Sequence, residues 1–192
     1  SAPDVAATWY LNPQRLPPDT DAGGMEVTGG FKPKVDSGQY SYGTHAAVVE
    51  IDRALGSVHI LDYVIVEDCG TMVNPMIVEG QTLGGAAQGI GTALFEEMAF
   101  DANGQPQAST LADYMLPGAT DIPRISIHHI ETPSPHTEYG IKGGGEGGRM
   151  GAPPALCSAI EDALRPLGVK INAMPVTPRR LRTLIREAQT RP

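Results

Sequence analysis

A chain of 192 residues that is 41% hydrophobic has enough apolar mass for one compact domain, or for two small lobes sharing a core. Its net charge of −8 argues against a nucleic-acid partner, because phosphate binding needs clustered Lys and Arg. Two cysteines, Cys69 and Cys157, suggest neither a disulfide framework nor a zinc site, no apolar run approaches the roughly 20 residues of a membrane span, and no secretory signal opens the chain, so a reduced, cytoplasmic setting is expected.

Residues 1–40 carry Pro13, Pro17, Pro18 and Pro33 and little periodic pattern. They read as an extended arm packing on a partner chain, with the domain proper over residues 41–192. From Thr44 to Asp52 the alternation suits a strand, Asp52 to Gly56 a turn, and Ser57 to Glu67 a second strand, which together predict a β-hairpin. Asn74-Pro75 reads as a helix start, with Asn74 as cap and Pro75 at the first helical position. That helix is expected to run to about Glu97, and it holds Gly80, Gly84, Gly85, Gly89 and Gly91. Each interior glycine costs about 0.5–1 kcal/mol relative to alanine, so five need a reason. Another backbone or a bulky ligand against that face would supply one, and so would tight helix packing.

Asp101 to Gly104 reads as a turn, Arg124 to Glu131 as a strand, Thr132 to Met150 as a long loop, and Ala152 to Leu164 as a helix with one apolar stripe. Val169 to Ile171 is expected to be a short strand. Thr177 and Pro178 cap and begin a final helix to about Ala188, and Arg179, Arg180, Arg182 and Arg186 read as its solvated face. The fold class is therefore α+β: a hairpin or mixed sheet packed with helices. The five histidines show no metal-ligand spacing, and the adjacent pair His128 and His129 points to opposite faces of its strand.

The stretch from Glu138 to Gly151 carries the chemistry. Its glycines strip side chains from the backbone and let peptide N–H groups converge on a ligand. A helix follows directly, and Lys142 adds a cation. Together these describe a cradle for a phosphate or another bulky anionic cofactor. The spacing is not that of a P-loop, since no Lys-Ser or Lys-Thr follows the glycines. Glu146 stands alone among them. A carboxylate there would repel a phosphate, which leaves two readings: a general base held against a substrate, or a loop carboxylate paired with Lys142 or Arg149.

Three stretches together resemble the molybdopterin-binding large subunit of the xanthine dehydrogenase and aerobic carbon monoxide dehydrogenase family. They are Val66-Glu67-Asp68-Cys69-Gly70 through Asn74-Pro75, Glu79-Gly80-Gln81 through Gln88-Gly89-Ile90-Gly91 with Glu96-Glu97, and Lys142-Gly143-Gly144-Gly145-Glu146. Their order and spacing match the C-terminal part of that subunit. The resemblance implies that Glu146 is the active-site base and that Gln88, Gly89, Lys142, Gly143, Gly144 and Gly145 contact the cofactor, with no protein ligand to the metal. It implies molybdopterin, expected as the cytosine dinucleotide and shared with a partner chain, and 2Fe-2S and FAD on partner subunits. The partners would be the upstream part of the large subunit, an iron–sulfur subunit, a flavin subunit and a small-molecule substrate.

The implied reaction is oxidative hydroxylation of an N-heterocycle or aldehyde, with oxygen from water and Glu146 accepting a proton. Carbon monoxide oxidation at a molybdenum–copper centre is the alternative within the family, and a non-catalytic assembly chain is the alternative outside it. Subunits of the family are several times longer than this chain, so a fragment, a cleavage product or a naturally split subunit is expected, working only within a complex.

Overall fold

The computed structural model describes residues 1–20, 23–32, 35 and 39–190. The chain divides into two compact units, Ser1–Lys34 and Val35–Pro192.

The first unit holds α1 (Ala2–Leu11) followed by a 3₁₀ turn over Pro13–Arg15. The helix departs from the extended arm expected of residues 1–40. Ser1 is its N-cap residue, the Asp4 carboxylate in the first turn accepts from the Ser1 amino group at 3.0 Å, and Pro3 sits in the first turn, where no N–H is needed. Its faces are too weakly divided for hydrophobic period to reveal it, and none of its residues is buried. Within the same unit the Met25 amide donates to the Tyr10 hydroxyl at 3.1 Å. Pro33, one of the prolines behind the extended reading, lies outside the described residues.

The second unit is built on a three-stranded sheet in the order β1-β2-β3. Strands β1 (Tyr42–Asp52) and β2 (Ser57–Asp68) form the expected antiparallel hairpin. Asp52 organises its turn by accepting the amides of Ala54 and Leu55 through Oδ1. Strand β3 (Ile125–His129) pairs parallel to β2, Tyr63 opposite Ile125 and Glu67 opposite His129. A parallel pair needs a crossover, and the segment between the two strands includes α2 (Pro75–Leu94). Asn74 caps α2 by accepting the Ile77 amide.

The core lies between one face of the sheet and the helices. Tyr63 and Ile65 of β2 meet Ile90 of α2, Leu156 and Ile160 of α4 (Ala152–Ala163), and Leu181 and Ile185 of α5 (Pro178–Thr190). A one-turn α3 (Gly147–Met150) precedes α4. Segment 169–171, expected as a strand, is coil. Val169 is buried in the core, while the Ile171 amide donates to Glu161 Oε1 at 2.6 Å. The α4 carboxylate thus takes an N–H that a ladder would have used. The arginines of α5 are only partly a solvated face: Arg180 bonds the Pro175 carbonyl and Glu97, and Arg182 bonds the Arg53 carbonyl.

Candidate functional site

The glycine-rich loop is stitched to the end of β2 before it reaches α2. Ser134 and Thr71 amides both donate to the Gly140 carbonyl, and the Lys142 amide donates to the Cys69 carbonyl at 3.0 Å. The chain turns there through Tyr139 and Gly140, both at positive φ, +61° and +72°.

Lys142 is held inside the protein. Its ammonium lies 3.1 Å from Asp68 Oδ1, with side-chain exposures of 8% and 0%, and it stands 5.3 Å from the centre of the Tyr42 ring. Burial alone would raise the Asp68 carboxyl. The neighbouring Thr132, hydrogen bonds from the Gly70 amide and Lys142, and the lysine charge outweigh it and hold the carboxyl at about 2. The cation predicted for the cradle is therefore spent inside the protein, because a buried carboxylate needs a partner more than an exposed loop needs a charge.

Glu146 is the opposite case. Its side chain is exposed and makes no hydrogen bond or ion pair among the described residues. Neither of the pairings considered for it, with Lys142 or with Arg149, is formed: Lys142 belongs to Asp68, and Arg149, three residues on, is exposed and has no ion pair among the described residues. Glu146 and Arg149 line a groove with Gly145 on one wall and Gln81, Gly84, Gly85 and Gln88 of α2 on the other.

The predicted cofactor residues divide between two sides of the loop. Gly145 and Gln88 join Glu146 in the groove, whereas Gly143 and Gly144 line a separate cavity with Cys69, Glu67 and His45. In that cavity His45 Nδ1 lies 2.9 Å from the Tyr63 hydroxyl; burial pushes the His45 pKa down and the Tyr63 pKa up. Gly89 is on neither surface. It is buried against the chain entering α4, and a Cβ there would stand 2.6 Å from Ala152 Cβ and 2.9 Å from the Arg149 carbonyl oxygen. The glycines of α2 thus have three explanations: Gly85 and Gly89 admit another backbone, Gly91 admits the Glu96 side chain, and Gly80 and Gly84 look onto open space.

Sequence reasoning missed Gln81, whose Nε2 donates to the Gly145 carbonyl at 3.0 Å. A signal was present, since Gln81 and Gln88 are seven residues apart and so share one helix face. It also missed the buried cluster in which Glu67 accepts the Thr82 hydroxyl and faces His129 Nδ1 at 3.4 Å. Among the described residues no His, Cys, Asp and Glu group is arranged to hold a metal ion.

Residues 3–123 match the molybdopterin cofactor-binding domain family. The chain belongs to that family. It is 40% identical over 181 residues to the nicotine 6-hydroxylase large subunit of Paenarthrobacter nicotinovorans, covering 94% of this chain and 22% of that protein. It is 40% identical over 148 residues to the carbon monoxide dehydrogenase large chain of Hydrogenophaga pseudoflava, covering 77% and 18%. Among solved structures, quinoline 2-oxidoreductase from Pseudomonas putida 86 superposes with a TM-score of 0.80 at 44% identity, over 98% of this chain and 23% of that one. The chain thus spans less than a quarter of the length of these relatives.

The groove fits a molybdopterin. The backbone at Gly145 on one wall and at Gly84 on the other is open to close approach. The Gln88 amide and the Arg149 guanidinium, both without internal partners among the described residues, are donors suited to an anionic group.

Proposed function

We propose that this chain supplies the catalytic base, Glu146, and part of the cofactor cradle to a molybdenum hydroxylase that oxidatively hydroxylates an N-heterocycle or aldehyde with oxygen from water. The observation that carries this reading is a carboxylate left exposed and unpaired on a groove walled by glycine backbone, with an arginine three residues away that does not neutralise it. Relatives named for nicotine and quinoline oxidation support the N-heterocycle as substrate class.

When bound, the molybdenum cofactor supplies the oxidising centre that accepts two electrons from the substrate. The chain's own residues do the rest. Gln88 and the Gly145 backbone orient the anionic cofactor at the groove, and Gly84 admits it close to α2. Glu146 accepts at a carboxylate oxygen the proton released as the water-derived oxygen bonds to carbon. Enclosure by partner chains would desolvate Glu146 and move it towards the range useful to a base near neutral pH. The cofactor is read as the cytosine dinucleotide shared with the rest of the large subunit, with 2Fe-2S and flavin subunits carrying the electrons away in the cytoplasm. Residues 1–40 are read as the segment that packs on a partner chain. Carbon monoxide oxidation is the second reading, favoured by the 40% identity to a carbon monoxide dehydrogenase large chain.

The test is Glu146→Gln in the assembled enzyme, with molybdenum occupancy measured alongside. Substrate-driven reduction should slow by about 10²–10⁴-fold with occupancy and folding unchanged. Reduction within tenfold of the unmodified enzyme overturns the assignment.

A further inference from the structure

The segment carrying Glu146 is seated on α2 by contacts that do not involve the Glu146 side chain. On its N-terminal side, Gln81 Nε2 donates to the Gly145 carbonyl at 3.0 Å. A carbonyl only accepts, so the amide nitrogen, not its oxygen, faces the loop. On its C-terminal side, Gly148 lies so close to α2 that a Cβ there would stand 2.2 Å from the Thr82 carbonyl oxygen. Beneath lies Glu67, 7% exposed. It accepts the Thr82 hydroxyl at Oε1, and its Oε2 would stand 3.2 Å from a Cβ on Gly147. Residues 145, 147 and 148 are therefore located by neighbouring residues of α2 and by a buried carboxylate at the end of β2. The residue between them presents its side chain to the groove.

We propose that Gln81 is a positioning residue for Glu146, with the Glu67–Thr82 pair as the floor of its seat. The inference rests on Glu146 being the base. A base must meet its proton in hydrogen-bond geometry, and a displacement of about 1 Å can cost on the order of 10²-fold in rate. A loop rich in glycine has little stiffness of its own, so the orientation of Glu146 has to come from outside it. Gln81 is the side chain that reaches the peptide immediately before Glu146. Gln81 itself is exposed on α2, so the contact is made without contributing to the core.

The experiment is a double-mutant cycle in the assembled, cofactor-loaded enzyme, with Gln81→Met as the variant that keeps length and removes the donor. We expect kcat to fall about tenfold with KM within twofold and molybdenum content unchanged. Hydrogen exchange at the amides of residues 145–149 should rise, while the amides of residues 90–94 in the core half of α2 stay protected. Added to Glu146→Gln, the change at Gln81 should cost less than a further twofold, because misplacing a group that no longer accepts a proton has little to lose. A full tenfold loss in that background, unchanged exchange at the loop, or an effect confined to KM would overturn the proposal. Damage from Glu146→Gln beside a harmless Gln81→Met overturns this inference alone, whereas a harmless Glu146→Gln overturns the base assignment and this inference together.

Discussion

Lys142 and Glu146 stand four residues apart on one glycine-rich loop and are handled by the fold in opposite ways. Lys142 is folded under β2 and tied to Asp68, both side chains out of water. Glu146 is held out over a groove with no ion-pair partner among the described residues. The difference shows that one motif can bury one charge and leave another exposed. The loop is anchored through Lys142 and leaves Glu146 exposed. A charge sealed inside is conspicuous when removed from the folded state, and a charge held outside is conspicuous only when removed from the reaction.

The largest effect that tests this contrast is Lys142→Met. It leaves the Asp68 carboxylate buried and uncompensated, which should cost roughly 3–5 kcal/mol in urea unfolding. Glu146→Gln should stay within about 0.5 kcal/mol of the unmodified chain, as exposed substitutions do. Equal losses for the two variants would erase the distinction between anchor and tool.

Acid titration gives the next effect. The Asp68 carboxyl ionises at about 2 in the folded chain against an ordinary value of 3.8. Its folded value is depressed, so its contribution is complete above pH 3.8 and is lost as the pH falls towards 2. A difference of this size is worth on the order of 2 kcal/mol. Unfolding free energy followed from pH 5 to pH 2 should show that loss. In Lys142→Met the deficit should instead shrink on acidification, because protonation removes the unpaired buried charge.

The same division runs along α2 and gives smaller effects. Gly89→Ala forces a methyl group against Ala152 and the Arg149 carbonyl, and overpacking of this kind should cost about 1–3 kcal/mol in thermal unfolding. Gly84→Ala meets nothing within 4 Å and replaces a poor helix former with a good one, so it should stabilise the chain by up to about 1 kcal/mol. If the Gly84 face receives the cofactor, the same alanine should lower molybdenum content in the assembled enzyme. Unchanged content would confine the function of α2 to its packed side.

Much of this was legible in the residues. Alternation marked the hairpin, Asn74-Pro75 marked the start of α2, and the glycine spacing singled out the loop and Glu146, because period, caps and φ freedom are local properties. Parallel pairing of β3 with β2 was not legible, since it joins residues about sixty positions apart and leaves no local mark. Nor does any local pattern mark the bond from the Tyr114 hydroxyl to Glu96 Oε2 at 2.6 Å.

By itself, the sequence determined the α+β class, the positions of the principal helices and strands, and the candidacy of Glu146 as a base, all from patterns within a few residues. Only the tertiary structure decided which of the two loop charges is free, which glycines admit backbone and which lie open, and that Gln81 holds the peptide before Glu146. Ion pairing and close backbone approach depend on distance in space, and the partners here, Asp68 with Lys142 and Gln81 with Gly145, lie 74 and 64 residues apart along the chain.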